Sequence, residues 1–205
     1  LSLHDALPIS NHYFKHLGVS DGLSQVCIPS IYQDELGAVW LGTTEGLNRY
    51  NGKDVKVFQP SESNHGLTNN EINELCGDKN GRMYIRSGND LIKLDIYTEQ
   101  FTCLRQKGVY GLFCKKDTLW VSCADGIYYY TGQGTELTFF ARVQKGFVGR
   151  ALYVDKETVW VVTRKYLVAI SREDPLRQEI LLTLDKGNCI LGDSSGNIWV
   201  GAWNG

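Results

Sequence analysis

Apolar and polar residues alternate over short spans of this chain, and turn-forming residues cut the alternation roughly every 8 to 12 positions. The clearest span is Gln33 to Gly52, QDELGAVWLGTTEGLNRYNG. Asp34-Glu35-Leu36-Gly37 predicts a tight turn, because Gly37 supplies the positive φ that such a turn needs. Ala38 to Thr43 predicts a buried strand, Thr44-Glu45-Gly46 a second turn, and Leu47 to Tyr50 the start of another strand. No segment carries the 3-, 4- and 7-residue apolar spacing of a helix, which excludes helical repeats and doubly wound α/β folds.

The same pattern recurs. Aligned on the aromatic after the first turn, the copies are Trp40, Tyr84, Trp120, Trp160 and Trp199, at steps of 44, 36, 40 and 39 residues. An aliphatic follows each one: Leu41, Ile85, Val121, Val161 and Val200. An apolar strand and an acidic turn precede each, as in Ile31 to Asp34 and Ile190 to Asp193. Two further strands follow each complete copy. A period of about 40 residues holding four short strands is that of a β-propeller blade. The predicted fold is all-β: a β-propeller fragment of about four four-stranded antiparallel blades plus the first hairpin of a fifth. The blades fall at about 26–58, 72–104, 110–140 and 150–184, with a partial one at 189–205.

The first nine residues, LSLHDALPI, resemble a translated sequencing adapter. Residues 1–10 are therefore set aside as an artefact or disordered segment, and 11–205 as an incomplete propeller. Tyr13 to Leu17 reads as a strand that would clasp the ring shut. Four and a half blades leave raw sheet edges, so the isolated chain is expected to be marginal or to aggregate.

Composition adds mostly exclusions. A formal charge of −2 carries no electrostatic footprint for nucleic acid. No apolar run approaches the ~18 residues of a membrane span. The six cysteines (27, 76, 103, 114, 123 and 189) form no C-x-x-C, so no metal or redox use is expected, and Cys76, Cys114 and Cys123 read as small core hydrophobes rather than disulfide partners. His12, His16 and His65 have no partner at ligand spacing, so no metal and no cofactor is expected.

Asp34, Gly37, Trp40, Gly42-Thr43, Gly46-Leu47 and Arg49-Tyr50, with Ile31 before them, resemble the two-component regulator propeller repeat. Asp193, Gly196 and Trp199-Val200-Gly201 repeat it. The second copy has Tyr84 for Trp and Arg86 for Gly, and the third and fourth have Ser122 and Val162 for Gly. The lead-in Tyr13 to Gln25 resembles the start of the periplasmic sensor region of hybrid two-component systems from gut Bacteroidetes. The resemblance implies a large propeller outside the inner membrane, then a β-sandwich, a membrane helix, a histidine kinase, a receiver and a DNA-binding module. It implies recognition of oligosaccharides to switch on glycan-utilisation genes, with the kinase chemistry outside these residues. Partners implied are an oligosaccharide, the rest of the propeller and the downstream domains, with a homodimer of the full-length protein open. A propeller polysaccharide lyase or hydrolase and a non-catalytic interaction scaffold are the alternatives.

Propellers bind ligands on the face formed by the loops between second and third strands and between blades. Four positions after the aromatic stand Thr44, Gly88, Ala124, Arg164 and Trp203; one further on stand Glu45, Asn89, Asp125, Lys165 and Asn204. Most are small turn formers. Arg164-Lys165-Tyr166 and Trp203-Asn204 depart from that pattern. An indole stacks on the apolar face of a sugar while an amide bonds its hydroxyls. Arg and Lys suit a carboxylate or sulfate. The candidate ligand residues are thus Trp203, Asn204, Arg164, Lys165, Tyr166, Glu45 and Asp125, against the plainer reading of solvated loops or loops packed on further blades. Trp40, Tyr84, Trp120, Trp160 and Trp199 are expected in the blade core. Glu45, Asp90 and Asp125 are the loop acids an enzyme would draw on, and no pairing among them stands out. Tyr129 is expected to face away from Tyr128 and Tyr130.

Overall fold

The computed structural model describes residues 16–60 and 66–203. It is nearly all β. Each sheet pairs its strands in chain order, antiparallel throughout. The first sheet holds β1 (Ser30–Gln33), β2 (Val39–Thr43), β3 (Gly46–Tyr50) and β4 (Val55–Phe58). The second holds β5 (Ile72–Gly77), β6 (Arg82–Ser87), β7 (Asp90–Asp95) and β8 (Gln100–Arg105). The third holds β9 (Val109–Lys115), β10 (Thr118–Cys123), β11 (Gly126–Tyr130) and β12 (Thr138–Ala141). The fourth holds β13 (Gly149–Val154), β14 (Thr158–Thr163), β15 (Tyr166–Ser171) and β16 (Gln178–Thr183). β17 (Gly187–Gly192) and β18 (Ile198–Ala202) form a two-stranded sheet. The first strands β1, β5, β9, β13 and β17 contact one another in succession, as the inner strands of propeller blades do around an axis.

The core lies between blades, not within one. Trp40, Leu47 and Phe58 of the first blade pack with Ile72, Met83 and Ile85 of the second. Tyr84 and Leu91 pack with Leu112, Val121 and Tyr130. Trp120 and Ile127 pack with Leu152, Val161 and Val168. Tyr128 and Tyr130 face the second blade, while Tyr129 faces the fourth and packs on Trp120 at 5.6 Å between ring centroids.

Trp40, Tyr84 and Trp120 therefore each pack on the blade that follows. Trp40 and Tyr84 are fully buried and Trp120 nearly so. Trp160, which faces only the two-stranded sheet, is half-buried. Trp199 departs from the expected core position: it is 62% exposed, because no described strand follows β18 to cover it.

The acidic turn has a defined job. Asp34 Oδ1 accepts the backbone N–H groups of Leu36 (3.0 Å) and Ala38 (2.9 Å), and Oδ2 accepts the indole N–H of Trp40 at 2.7 Å. One carboxylate thus closes the turn and aims the ring. Asp155 does the same for Glu157, Thr158 and Trp160. Asp193 does it for Ser195, Asn197 and Trp199. In the second blade Tyr84 offers no indole N–H, and Asp78 takes the Arg82 guanidinium instead.

Where blades meet, residue sizes are matched across the boundary. A methyl group built on Gly42 would meet Ile72 Cγ2 at 2.8 Å. The third blade has Ser122 at that position, and the facing residue is Gly149, where such a methyl would lie 2.5 Å from Ser122 Oγ. The fourth has Val162, and the facing residue is Gly187. The glycine missing from the third and fourth motifs has moved to the partner strand.

Of the expected clasp Tyr13 to Leu17, residues 13–15 lie outside the described residues, and His16 and Leu17 belong to no strand. The adapter-like segment, His12, His65 and Asn204 also lie outside them.

Candidate functional site

The turns between second and third strands of the first and fourth blades share one construction. Thr163 Oγ1 accepts the N–H groups of Lys165 (3.2 Å) and Tyr166 (2.9 Å) and donates to Tyr166 O at 3.1 Å. Thr43 holds the first-blade turn likewise, accepting Glu45 N–H and donating to Gly46 O. The Arg164-Lys165 turn is further pinned by the start of the next blade and by the residue after β16 of its own blade. Gly187 N–H donates to Arg164 O and Leu184 N–H to Lys165 O. With the backbone held, both cationic side chains are left exposed on the face.

A second device supplies what the turns do not. β5, β9, β13 and β17 each carry a bulge near their first residue, at Asn73, Tyr110, Arg150 and Asn188. A bulged residue leaves the ladder, and its side chain is re-aimed. These four stand 10 or 11 residues before the motif aromatic of their blade and ring the inner rim of the face. Asn73 is engaged with Gly88 O at 3.2 Å.

The two devices converge between the fourth blade and β17–β18. Arg150, Arg164, Lys186, Asn188 and Trp203 line a cleft of about 250 Å³. An adjoining cleft of about 410 Å³ shares Arg150 and Arg164 and adds Lys165, Tyr110 and Phe147. No carboxylate is among the described residues lining either one. Four cations are therefore concentrated in one place on a chain whose net charge is −2. Trp203 is 76% exposed at the rim, an apolar plate beside the cations.

The remaining expected residues lie elsewhere. Tyr166 packs behind the cleft, its ring 4.9 Å from that of Phe147. Glu45 is an exposed turn residue of the first blade. Asp125 is engaged by Arg105 at 2.7 Å and by the Tyr128 hydroxyl at 2.8 Å. Partial burial pushes the Asp125 carboxyl up, but those two hydrogen bonds outweigh it and hold the group below its ordinary range. Asp90 accepts Lys107 N–H at 2.6 Å. The three acids sit on separate blades, each in its own local structure. Sequence reasoning missed Arg150, Lys186, Asn188 and Tyr110. For Tyr110, Arg150 and Asn188 the offset of 10 or 11 residues from the aromatic was the available signal, and Lys186 carried none.

Fold and repeat together define a β-propeller. Residues 22–45 match the family model for the two component regulator propeller. Over 50 residues, 24% of this chain and 4% of the other, the chain is 42% identical to histidine kinase P4 of Formosa agariphila. Its fold is similar to the extracellular domain of a hybrid two component system of B. thetaiotaomicron, at a TM-score of 0.81 and 23% identity over 93% of this chain and 29% of that one. The extracellular domain of a one component system from the same organism matches at a TM-score of 0.74 and 19% identity, covering 91% and 30%. The chain thus spans under a third of the length of each of these proteins.

Proposed function

We propose that this chain is part of the extracytoplasmic sensor propeller of a hybrid two-component histidine kinase, anchored in the inner membrane, and that it works by binding rather than by chemistry. Its ligand is an acidic oligosaccharide, seated at the Arg150–Arg164–Lys186 cleft with Trp203 stacked on a sugar face. The signal turns on genes for using that glycan. The observation that carries the reading is the convergence of cations from a strand bulge, a turn and a connecting loop on one cleft beside an exposed indole. Guanidinium groups pair bidentately with carboxylate or sulfate, and an aromatic plate takes the C–H face. The family match at residues 22–45 and the fold likeness to extracellular sensor domains support the same assignment.

Calorimetric titration of the complete sensor region with a uronate tetrasaccharide and a neutral glucan tetrasaccharide tests it. The acidic sugar is expected to bind and to weaken with added salt. Arg164→Ala should weaken it by roughly 10- to 100-fold, the loss of one charge-assisted pair. Equal heats from both sugars, or none from either, would overturn the reading.

A further inference from the structure

Adjacent blades meet through side-chain packing and scattered hydrogen bonds, with one exception in chemistry. Near the end of the inner strands opposite the bulges, Cys76 of β5 and Cys114 of β9 bring their sulfur atoms to 2.7 Å across the boundary between second and third blades. Unbonded sulfurs do not pack that closely, and a disulfide needs about 2.05 Å. The strands carrying them are direct neighbours, and both residues lie in one apolar cluster with Leu112 and Leu119. At the other blade boundaries the inner strands meet differently. Tyr32 lies over Gly77, and Phe113 packs edge-on against Tyr153 at 5.3 Å.

We propose that Cys76 and Cys114 form a disulfide that staples the second blade to the third. The four other cysteines take no part. Cys27 and Cys189 are exposed, while Cys103 and Cys123 stand on other strands. The step is an exchange with a disulfide-form oxidant, either a small-molecule disulfide or an oxidoreductase. One thiolate attacks the oxidant and forms a mixed disulfide, releasing the oxidant's first thiol. The second thiolate then attacks the protein sulfur and releases the other. Two protons and two electrons leave the protein, and the oxidant's S–S bond becomes two thiols.

Burial, the neighbouring thiol and the Glu74 and Asp78 carboxylates all push the Cys76 thiol above its ordinary range. In the folded chain the thiolate is therefore scarce, so exchange is fast during folding and slow afterwards in either direction. The staple belongs to an oxidising compartment. It stands independently of the ligand reading.

The test refolds the reduced, denatured full chain in a buffer of reduced and oxidised glutathione, then blocks free thiols and maps tryptic peptides by mass. Peptides 57–79 and 108–115 each hold one cysteine, Cys76 and Cys114. They are expected joined, with the other four thiols blocked. Reduction should lower the Tm by roughly 8–15 °C, as expected for a loop of this length in a domain of this size. Cys114→Ala should show no reductant-dependent shift. Six blocked thiols in the refolded wild type, or a join to any other cysteine, would overturn the proposal whatever the variant does.

Discussion

Asp34–Trp40 in the first blade and Asp193–Trp199 in the last hairpin carry the same motif in opposite surroundings. The turn chemistry is nearly identical. The carboxylate takes two backbone N–H groups and the indole N–H in both, at 2.7 Å to Trp40 and 3.0 Å to Trp199. Burial is not: Trp40 is 0% exposed and Trp199 62%. The first ring is stacked on Phe58 at 5.7 Å and lies among residues of the second blade, whereas no described blade lies beyond β18. The comparison separates a local lock, which seven residues make by themselves, from burial, which only a neighbour can provide.

The widest gap is expected for removal of the ring. Trp40→Ala should cost about 3–5 kcal/mol, the usual cost of emptying a large aromatic site. Trp199→Ala should cost under about 1 kcal/mol, as for an exposed position. Urea melts of the same chain compare them, and equal losses would break the distinction between lock and burial.

Removal of the carboxylate should separate the sites less. Asp34→Ala strands the N–H groups of Ala38 and Trp40 in a buried setting, at about 1–3 kcal/mol for each group left unpaired. At Asp193→Ala water replaces the carboxylate, and a smaller loss than at Asp34 is expected.

Acid titration gives the finest comparison. The hydrogen bonds from Trp199 and Asn197 hold the Asp193 carboxyl down at about 2. Burial raises Asp155, but its bonds from Trp160, Glu157 and Thr158 win and hold it below the ordinary range. Both folded values are depressed, so the stabilisation is fully present above the unfolded value of about 3.9 and is lost as pH falls through the folded one. The Trp199 indole N–H resonance should therefore stay in place from pH 7 to about 4 and move only as pH approaches 2. Movement centred near pH 4 would show that the lock does not hold in solution.

Much of this was legible because it is local. A turn, its capping carboxylate and a two-residue alternation act over fewer than ten positions. That is why β2, β6, β10, β14 and β18 stand where the aromatics pointed. The site was half legible. Arg164, Lys165 and Trp203 stood out because they break the turn pattern, and the structure brings them to adjoining clefts. Arg150 and Asn188 were hidden because a bulge is a property of register between two strands, not of either strand's composition. Asp125 read as a free loop acid because Arg105, its partner, stands 20 residues away on another strand.

By itself the chain's order of residues determined the blade period, the strands, the turns and the Asp–Trp lock, since each is settled by neighbours a few positions apart. Tertiary structure alone decided which indole is buried, where glycine must face Ile72, Ser122 or Val162, which cations share a cleft, and that Cys76 meets Cys114. Those are contacts between blades about 40 residues apart, and they exist only when one sheet is laid against the next.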